Sequence, residues 1–242
     1  DESEIMPPPE MKHPLDATQI ALLSRWIEAG GNFDEHWSFQ PIEQPATPTF
    51  ESSEDTHHPV DSFVNARLAS SPLTVGRFAD RYQLIRRLYF EITGLPPTID
   101  EADAFVDDPR PDAVERLIDR LLASPHYGER MAWNWLDAAR YADSNGYQGD
   151  GDRTMWPWRD WVVRALNEDL PFDDFTKWQV AGDLLPKPTT EQVLATGFFR
   201  NHMINGEGGR IPEENRIDYV MDMTETLGTV WLGLTFNCCR CH

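Results

Sequence analysis

Apolar residues recur at intervals of three and four along most of the chain after residue 60, which is the spacing that one face of an α-helix requires. In the stretch RYQLIRRLYFEITGLPP this spacing places Leu84, Leu88 and Ile92 on one face, and a glycine and two prolines follow. Thr98 and Glu101 then form a capping box at the start of another helix. No alternating run is long enough to predict a sheet. The sequence therefore predicts an all-α protein.

The same patterns divide the chain into three segments. Residues 1–38 carry a short amphipathic helix with Asp16 as its N-cap. Residues 39–59 are rich in Pro, Thr, Ser and Glu without periodicity, which is typical of a linker. Residues 60–242 hold the remaining helices, and the last of them starts near Pro212. The predicted apolar stripes are Ile20, Leu23, Trp26 and Ile27 in the first helix, and Ile217, Val220, Met221, Thr224, Leu227, Trp231 and Leu234 in the last.

The charge of the chain restricts its partners. Asp and Glu number 41 against 21 Lys and Arg, which gives a formal net charge of −20. Such a surface repels nucleic acid and anionic membranes and attracts a cationic redox partner. The most apolar run, LGTVWLGLTF, is about half of the roughly 20 residues that a membrane-spanning helix needs, so we expect no membrane span.

The most specific motif is NCCRCH, which fits the pattern Cys-x-x-Cys-His. This spacing is the attachment signature of c-type haem, because two thiols must reach the two vinyl groups of one macrocycle and the histidine ligates its iron. On this hypothesis Cys238 and Cys241 form the thioethers, His242 is the proximal ligand, and Cys239 has no role. Half of a zinc site and a redox-active thiol pair remain alternatives.

A second haem is predicted by the other end of the chain. The string MPPPEM precedes an amphipathic helix, and small c-type cytochromes present a distal methionine in such a setting. Met6 would be this ligand, and its haem would be attached by a motif upstream of this segment. A plain loop is the alternative.

A glycine-rich polar loop, RNHMINGEGGR, precedes the last helix. His202 or Met203 is the candidate distal ligand for the haem at His242, since imidazole and thioether are the usual sixth ligands. Alternatively, His202 is a general base beside an open iron site, with Glu207 as a second catalytic candidate. The loop could also simply turn the chain.

Two further groups have a structural and a functional interpretation. Asp143, Asn145, Asp150 and Asp152 place hard oxygen ligands in one short loop, which suits calcium, although the match to a calcium-binding loop is poor and a solvated acidic loop is the alternative. Core packing is the default explanation for aromatic residues at helical spacing, with one or two free to line a site. This aromatic group comprises Trp133, Trp135, Trp156, Trp158, Trp161 and Trp178.

Long stretches of the chain also resemble a known family. Residues 6–39 resemble the C-terminal end of the planctomycete-type cytochrome c domain, and LIRRLYFEITGLPPTIDEADAF and ATGFFRNHMINGEGGRIPEENRIDYVMDMTETLGTVWLGLTFNCCRCH resemble the domain of unknown function that follows it. Members of this family usually continue after the cysteine motif into an Asp-His-Lys stretch, which this sequence lacks.

The resemblance implies several properties of the whole protein. It implies a large exported protein, periplasmic or extracellular, of which this chain is a segment. The resemblance does not itself supply a reaction, but it suggests oxidation of a carbohydrate or its breakdown product. The haem motifs predict electron transfer, between the haem at His242 and the one served by Met6, to other haem domains or to a redox partner protein. The alternatives are a haem- or metal-dependent carbohydrate-active oxidoreductase with its site near His202, and a zinc-stapled interaction module.

Overall fold

The computed structural model describes residues 15–49 and 58–241, and it confirms the all-α prediction. Within these residues there is no strand, only an isolated bridge between Ser144 and Asp152. No helix in this part of the chain is long and apolar enough to cross a membrane. The α-helices are α1 (Ala17–Glu28), α2 (Pro59–Ala69), α3 (Arg81–Ile92), α4 (Ile99–Val106), α5 (Ala113–Leu122), α6 (Pro125–Ala138), α7 (Trp156–Asn167), α8 (Phe172–Ala181), α9 (Thr190–Ala195) and α10 (Pro212–Leu227).

The chain divides into two compact units, residues 1–76 and 77–242. In the first unit, α1 begins with the predicted capping box: the Gln19 amide donates to Asp16 Oδ1 at 2.8 Å, and the Gln19 side chain accepts from the Asp16 amide at 2.9 Å. No residue of α1 is buried. Its predicted apolar stripe is therefore exposed, including Trp26 and Ile27.

The second unit contains two hydrophobic clusters. The smaller one joins α3, α4 and α5 through Ile85, Tyr89, Phe105, Leu117 and Leu121, all of which are buried. Apolar residues at three- and four-residue spacing in these helices face one another, as the sequence predicted. The capping box of Thr98 and Glu101 starts α4 as expected.

The larger cluster is aromatic and joins α6, α7, α8 and the short 3-10 helix Thr196–Arg200. Trp161 stacks on Phe175 with ring centroids 5.3 Å apart. Trp158 is 1% exposed, and its indole N–H donates to the Ala195 carbonyl oxygen at 3.1 Å. A buried indole with a satisfied N–H contributes both apolar area and a hydrogen bond, so this cluster anchors the part of the fold that carries the site.

The last helix begins with Pro212 in its first turn, as predicted, but its predicted apolar stripe is wrong. The α-helix ends at Leu227 and passes into a π-helical turn, Gly228–Leu232. The wider turn changes the register, so that Trp231 packs into the aromatic cluster while Val220 and Met221 on α10 are exposed. Instead of facing the core, these two side chains face a cavity.

Candidate functional site

The three cysteines lie in one short 3-10 turn, Asn237–Arg240, and the residue after it. The Cys241 amide donates to the Cys238 carbonyl oxygen at 3.2 Å, which closes the turn. All three thiols are exposed and free. Side chains three residues apart in a 3-10 helix lie on the same side, so Cys238 and Cys241 share one side of the turn and Cys239 occupies another. His242 and Met6 lie outside the described residues.

The π-helical turn and Phe236 position this cysteine turn. Phe236 packs against the backbone of Gly228, where a Cβ would come within 2.5 Å of its ring. The Leu234 amide donates to the Gly228 carbonyl oxygen at 3.0 Å and folds the chain back on itself. An ion pair between Arg240 and Asp218 then ties the turn to α10. The cysteines are thus held beside the first half of α10.

A cavity of about 530 Å³ lies between α10 and the cysteine turn. This volume falls within the range of small-molecule sites, roughly 300–1,000 Å³. One face of α10 forms a wall, and Phe236, Asn237, Cys239 and Arg240 form the opposite end. Met203 and Tyr147 complete the lining. Of the three cysteines, Cys239 lines this cavity, whereas Cys238 and Cys241 do not.

Arg153 fixes the loop that contributes Met203. Its guanidinium donates to the carbonyl oxygens of His202 at 2.7 Å, Asn201 at 3.1 Å and Arg200 at 3.3 Å, and its Nε donates to Ala142 at 3.2 Å. Burial of the guanidinium lowers its pKa from the ordinary value, although an arginine stays charged at any physiological pH. One side chain therefore holds three consecutive carbonyl groups of this loop.

The side chains of His202 and Met203 lie in different environments. His202 is 4% exposed, its Nδ1–H donates to the Met203 carbonyl oxygen at 2.9 Å, and its ring stacks on Tyr219 with centroids 4.6 Å apart. Tyr219 and Met203 line the cavity, and His202 lies behind them. The tautomer that this hydrogen bond selects leaves Nε2 as the basic nitrogen. Of the two predicted ligands, Met203 is the one that reaches the cavity.

Glu207 and the neighbouring asparagine stabilise contacts between loops. Glu207 Oε1 accepts from the Gln148 amide at 3.3 Å, and the Glu207 amide donates to Asn205 Oδ1 at 2.9 Å. The Asn205 amide donates to the Tyr219 hydroxyl at 2.8 Å. Glu207 is exposed and does not line the cavity, so the structure does not bring this catalytic candidate to the site.

The predicted calcium loop has another role. Asp143 Oδ1 accepts from the amides of Met155 and Trp156, both at 2.8 Å, so this carboxylate caps α7 from outside the helix. Burial would raise the pKa of the Asp143 carboxyl, but hydrogen bonds from Tyr141 and these two amides lower it overall. Asp150 accepts from the Gly146 amide at 2.7 Å.

The oxygen donors of this loop do not converge on one point. Nowhere in the part of the chain that the structure describes do three His, Cys, Asp or Glu side chains gather closely enough to hold a metal ion. Asp143, Asp150 and Asp152 thus form no such group, and Asn145 contributes its carbonyl oxygen to the Ile204 amide at 2.9 Å. The loop therefore serves to join α7 to the loop of Met203.

Most of the six tryptophans belong to the core, as expected. Trp158 and Trp161 are buried, and Trp135 and Trp178 pack against the same cluster. Trp133 and Trp156 are 71% and 50% exposed. Neither of these exposed rings lines the cavity beside the cysteine turn.

The sequence analysis missed the polar residues of α10. Asp218, Asp222 and Glu225 line the cavity together with Tyr219. Their spacing of four and three residues places the carboxylates on one helical face, and that signal was present in the sequence. It was overlooked because the apolar residues of the same helix were assigned to the core.

A comparison with protein families matches residues 59–242 to PSCyt2, described as a protein of unknown function (DUF1549). The match and the fold thus define an all-α domain of the planctomycete cytochrome c-associated type, which is the second part of the resemblance; the match does not extend to residues 6–39. Because the match covers most of the chain, the chain belongs to this family. No curated protein and no solved structure matches it.

Proposed function

We propose that this domain is an extracytoplasmic electron carrier with one c-type haem attached to Cys238 and Cys241. The observation that carries the proposal is the geometry of the cysteine turn. Two exposed thiols, free of disulfides, lie one 3-10 turn apart on the same side, and a histidine follows directly in the sequence. The donor set fits covalent haem attachment, with His242 as the proximal ligand.

The proposed haem site and the cavity lie on different sides of the cysteine turn. Cys239 lines the cavity, and Cys238 and Cys241 lie on another side of the same turn. Two carboxylates of the cavity wall already pair with arginines and the third, Glu225, forms no ion pair among the described residues, so the wall disfavours the two anionic propionates of a haem. We therefore assign the haem to the side of Cys238 and Cys241, beside the cavity rather than inside it.

Contacts with α10 fix this site in place, and the charge of the chain influences which partner approaches it. Phe236 against Gly228 and Arg240 against Asp218 fix the turn, and with it the two attachment points, to α10. When bound, haem supplies a one-electron couple. The net charge of −20 favours approach of a cationic redox partner, or of other haem domains in the same polypeptide with a complementary surface.

A second candidate function is an oxidoreductase that binds its substrate in the cavity. The observation that favours it is the position of this cavity against Cys239, directly beside the proposed haem site. A carbohydrate-derived substrate is the expectation that the family resemblance supplies. A zinc-stapled module, the third possibility, uses the same thiols and would carry zinc in place of haem.

The test is covalent haem attachment. The protein is produced by secretion in a host with a haem-attachment system, and the C-terminal peptide is weighed by mass spectrometry. We expect the added mass of one haem, a Soret band and no stoichiometric zinc. Cys238→Ser and Cys241→Ser should each abolish normal two-thioether attachment, whereas Cys239→Ser, the matched control, should keep it. An unmodified peptide from secreted wild-type protein, or equal attachment in all three variants, would refute the proposal.

A further inference from the structure

The cavity beside the cysteine turn has an uneven balance of charge. Four charged residues line it, namely Asp218, Asp222, Glu225 and Arg240. Asp218 is neutralised by its ion pair with Arg240. Asp222 is likewise paired, with Arg140. Glu225 forms no ion pair with any residue in the described ranges 15–49 and 58–241. Among the described residues, the wall therefore keeps one carboxylate without a paired cation, that of Glu225.

Asp222 has one oxygen that lacks a donor. Its Oδ1 accepts from Arg140, which lies outside the cavity lining. Its Oδ2 is buried and has no hydrogen-bond partner among the residues that the structure describes. An unsatisfied carboxylate oxygen removed from water destabilises a protein, and buried polar atoms normally have partners. The Asp222 side chain as a whole is 31% exposed and lines the cavity, so a small rotation would bring this oxygen to a ligand N–H and supply the missing hydrogen bond.

The rest of the wall is apolar or aromatic. Met203, Val220 and Met221 contribute aliphatic and thioether surface, and Tyr219 and Phe236 contribute rings. Aromatic faces and carboxylates together attract an organic cation more strongly than a neutral or anionic molecule of the same shape. A highly hydroxylated neutral ligand would leave both the apolar surface and the unpaired carboxylate of Glu225 uncompensated.

We propose that this cavity binds a small organic cation, with a flat apolar body and an N–H-bearing charged group that pairs with Glu225 and donates a hydrogen bond to Asp222. The proposal goes beyond electron transfer and stands on the cavity alone. A preference of the cavity for cations would distinguish this ligand from the carbohydrate-derived substrate that the family resemblance suggests.

The probes are three molecules of one shape and different charge: benzamidine as the cation, benzamide as the neutral molecule and benzoate as the anion. Each is titrated calorimetrically into the full chain as purified from secretion, and the haem content of that sample is recorded. We expect benzamidine to bind about tenfold more tightly than benzamide or better, and benzoate to bind most weakly, because a charge-assisted hydrogen bond is lost in each replacement.

The variants locate the binding. Asp222→Asn and Glu225→Gln should each weaken benzamidine binding about tenfold. Asp183→Asn, an exposed acidic residue away from the cavity lining, removes the same formal charge and should leave the affinity unchanged. Because Asp222 also pairs with Arg140, Glu225→Gln is the second variant should Asp222→Asn impair folding.

Equal affinities for benzamidine and benzamide, or wild-type affinity in a folded Glu225→Gln variant and in Asp222→Asn, would overturn the proposal. Haem attachment in the same sample is read separately from its mass and Soret band. Protein that carries haem but binds no benzamidine contradicts this inference alone. Protein that binds benzamidine selectively but never carries haem contradicts the electron-carrier function alone.

Discussion

The thioether of Met203 occupies the space beside residue 146 that a side chain would fill. A Cβ on Gly146 would lie 2.9 Å from Met203 Sδ and 3.0 Å from its Cγ. Gly146 also has φ +79°, a conformation that residues with side chains rarely adopt. Two loops distant in sequence therefore meet at a position that requires glycine.

Replacement of Gly146 should disturb both the backbone and Met203. We expect Gly146→Ala to lower the free energy of unfolding by about 1–2 kcal/mol. The new Cβ would clash with Met203, and alanine is strained in the left-handed backbone conformation of this position. Gly149→Ala is the matched control, since the space around Gly149 is open and its backbone needs no glycine. Its effect should lie within about 0.5 kcal/mol. Chemical denaturation measures both, and equal losses would contradict this account.

Arg153 should be irreplaceable by lysine. Its planar guanidinium reaches the carbonyl oxygens of Arg200, Asn201 and His202 at once, whereas an ammonium is a single point of donation. We expect Arg153→Lys to destabilise the protein by about 2–3 kcal/mol and to increase amide exchange in residues 200–206. Arg200→Lys, an exposed control, should change neither. Unchanged exchange in Arg153→Lys would show that the loop does not depend on this clamp.

Local signals in the sequence predicted the parts of the fold that depend on neighbouring residues. The capping boxes at Asp16 and Thr98 and the proline start of α10 each need only three or four consecutive residues, and all are present. The cysteine turn is also local, so its exposure and spacing suit the motif.

The predictions that failed depend on contacts between distant segments. The face of α10 was misassigned because the π-helical turn and the contact of Phe236 with Gly228 redirect the chain after Leu227. The role of Asp143 was left open between calcium and a solvated loop, because its use as a cap for α7 needs the amide of Trp156, thirteen residues away. Neither arrangement leaves a periodic trace in the sequence.

The cap formed by Asp143 gives the protein a pH dependence. The pKa of the Asp143 carboxyl is lower in the folded state than in the unfolded state, where it is about 3.9. The carboxylate therefore contributes fully to the free energy of unfolding above about pH 3.9, and this contribution is lost as the pH falls through the folded-state pKa. At neutral pH, Asp143→Asn should lower stability by about 1 kcal/mol, and the difference from wild type should shrink towards pH 3. Asp152→Asn is the control. Thermal unfolding across this range tests it, and a constant difference would contradict the cap.

The visible spectrum should distinguish the two possible positions of the haem. His202 is committed to the Met203 carbonyl and to Tyr219, and the Met203 thioether packs against Gly146, so neither side chain is available to iron on the side of Cys238 and Cys241. We therefore expect His202→Ala and Met203→Ala to keep the wild-type spin state in the oxidised and reduced spectra. His202→Ala should still lower the melting temperature, because it removes a buried, stacked ring. Met221→Ala, the other methionine of the cavity wall, is the control. A change from low to high spin in Met203→Ala alone would instead place the iron in the cavity, with Met203 as its distal ligand.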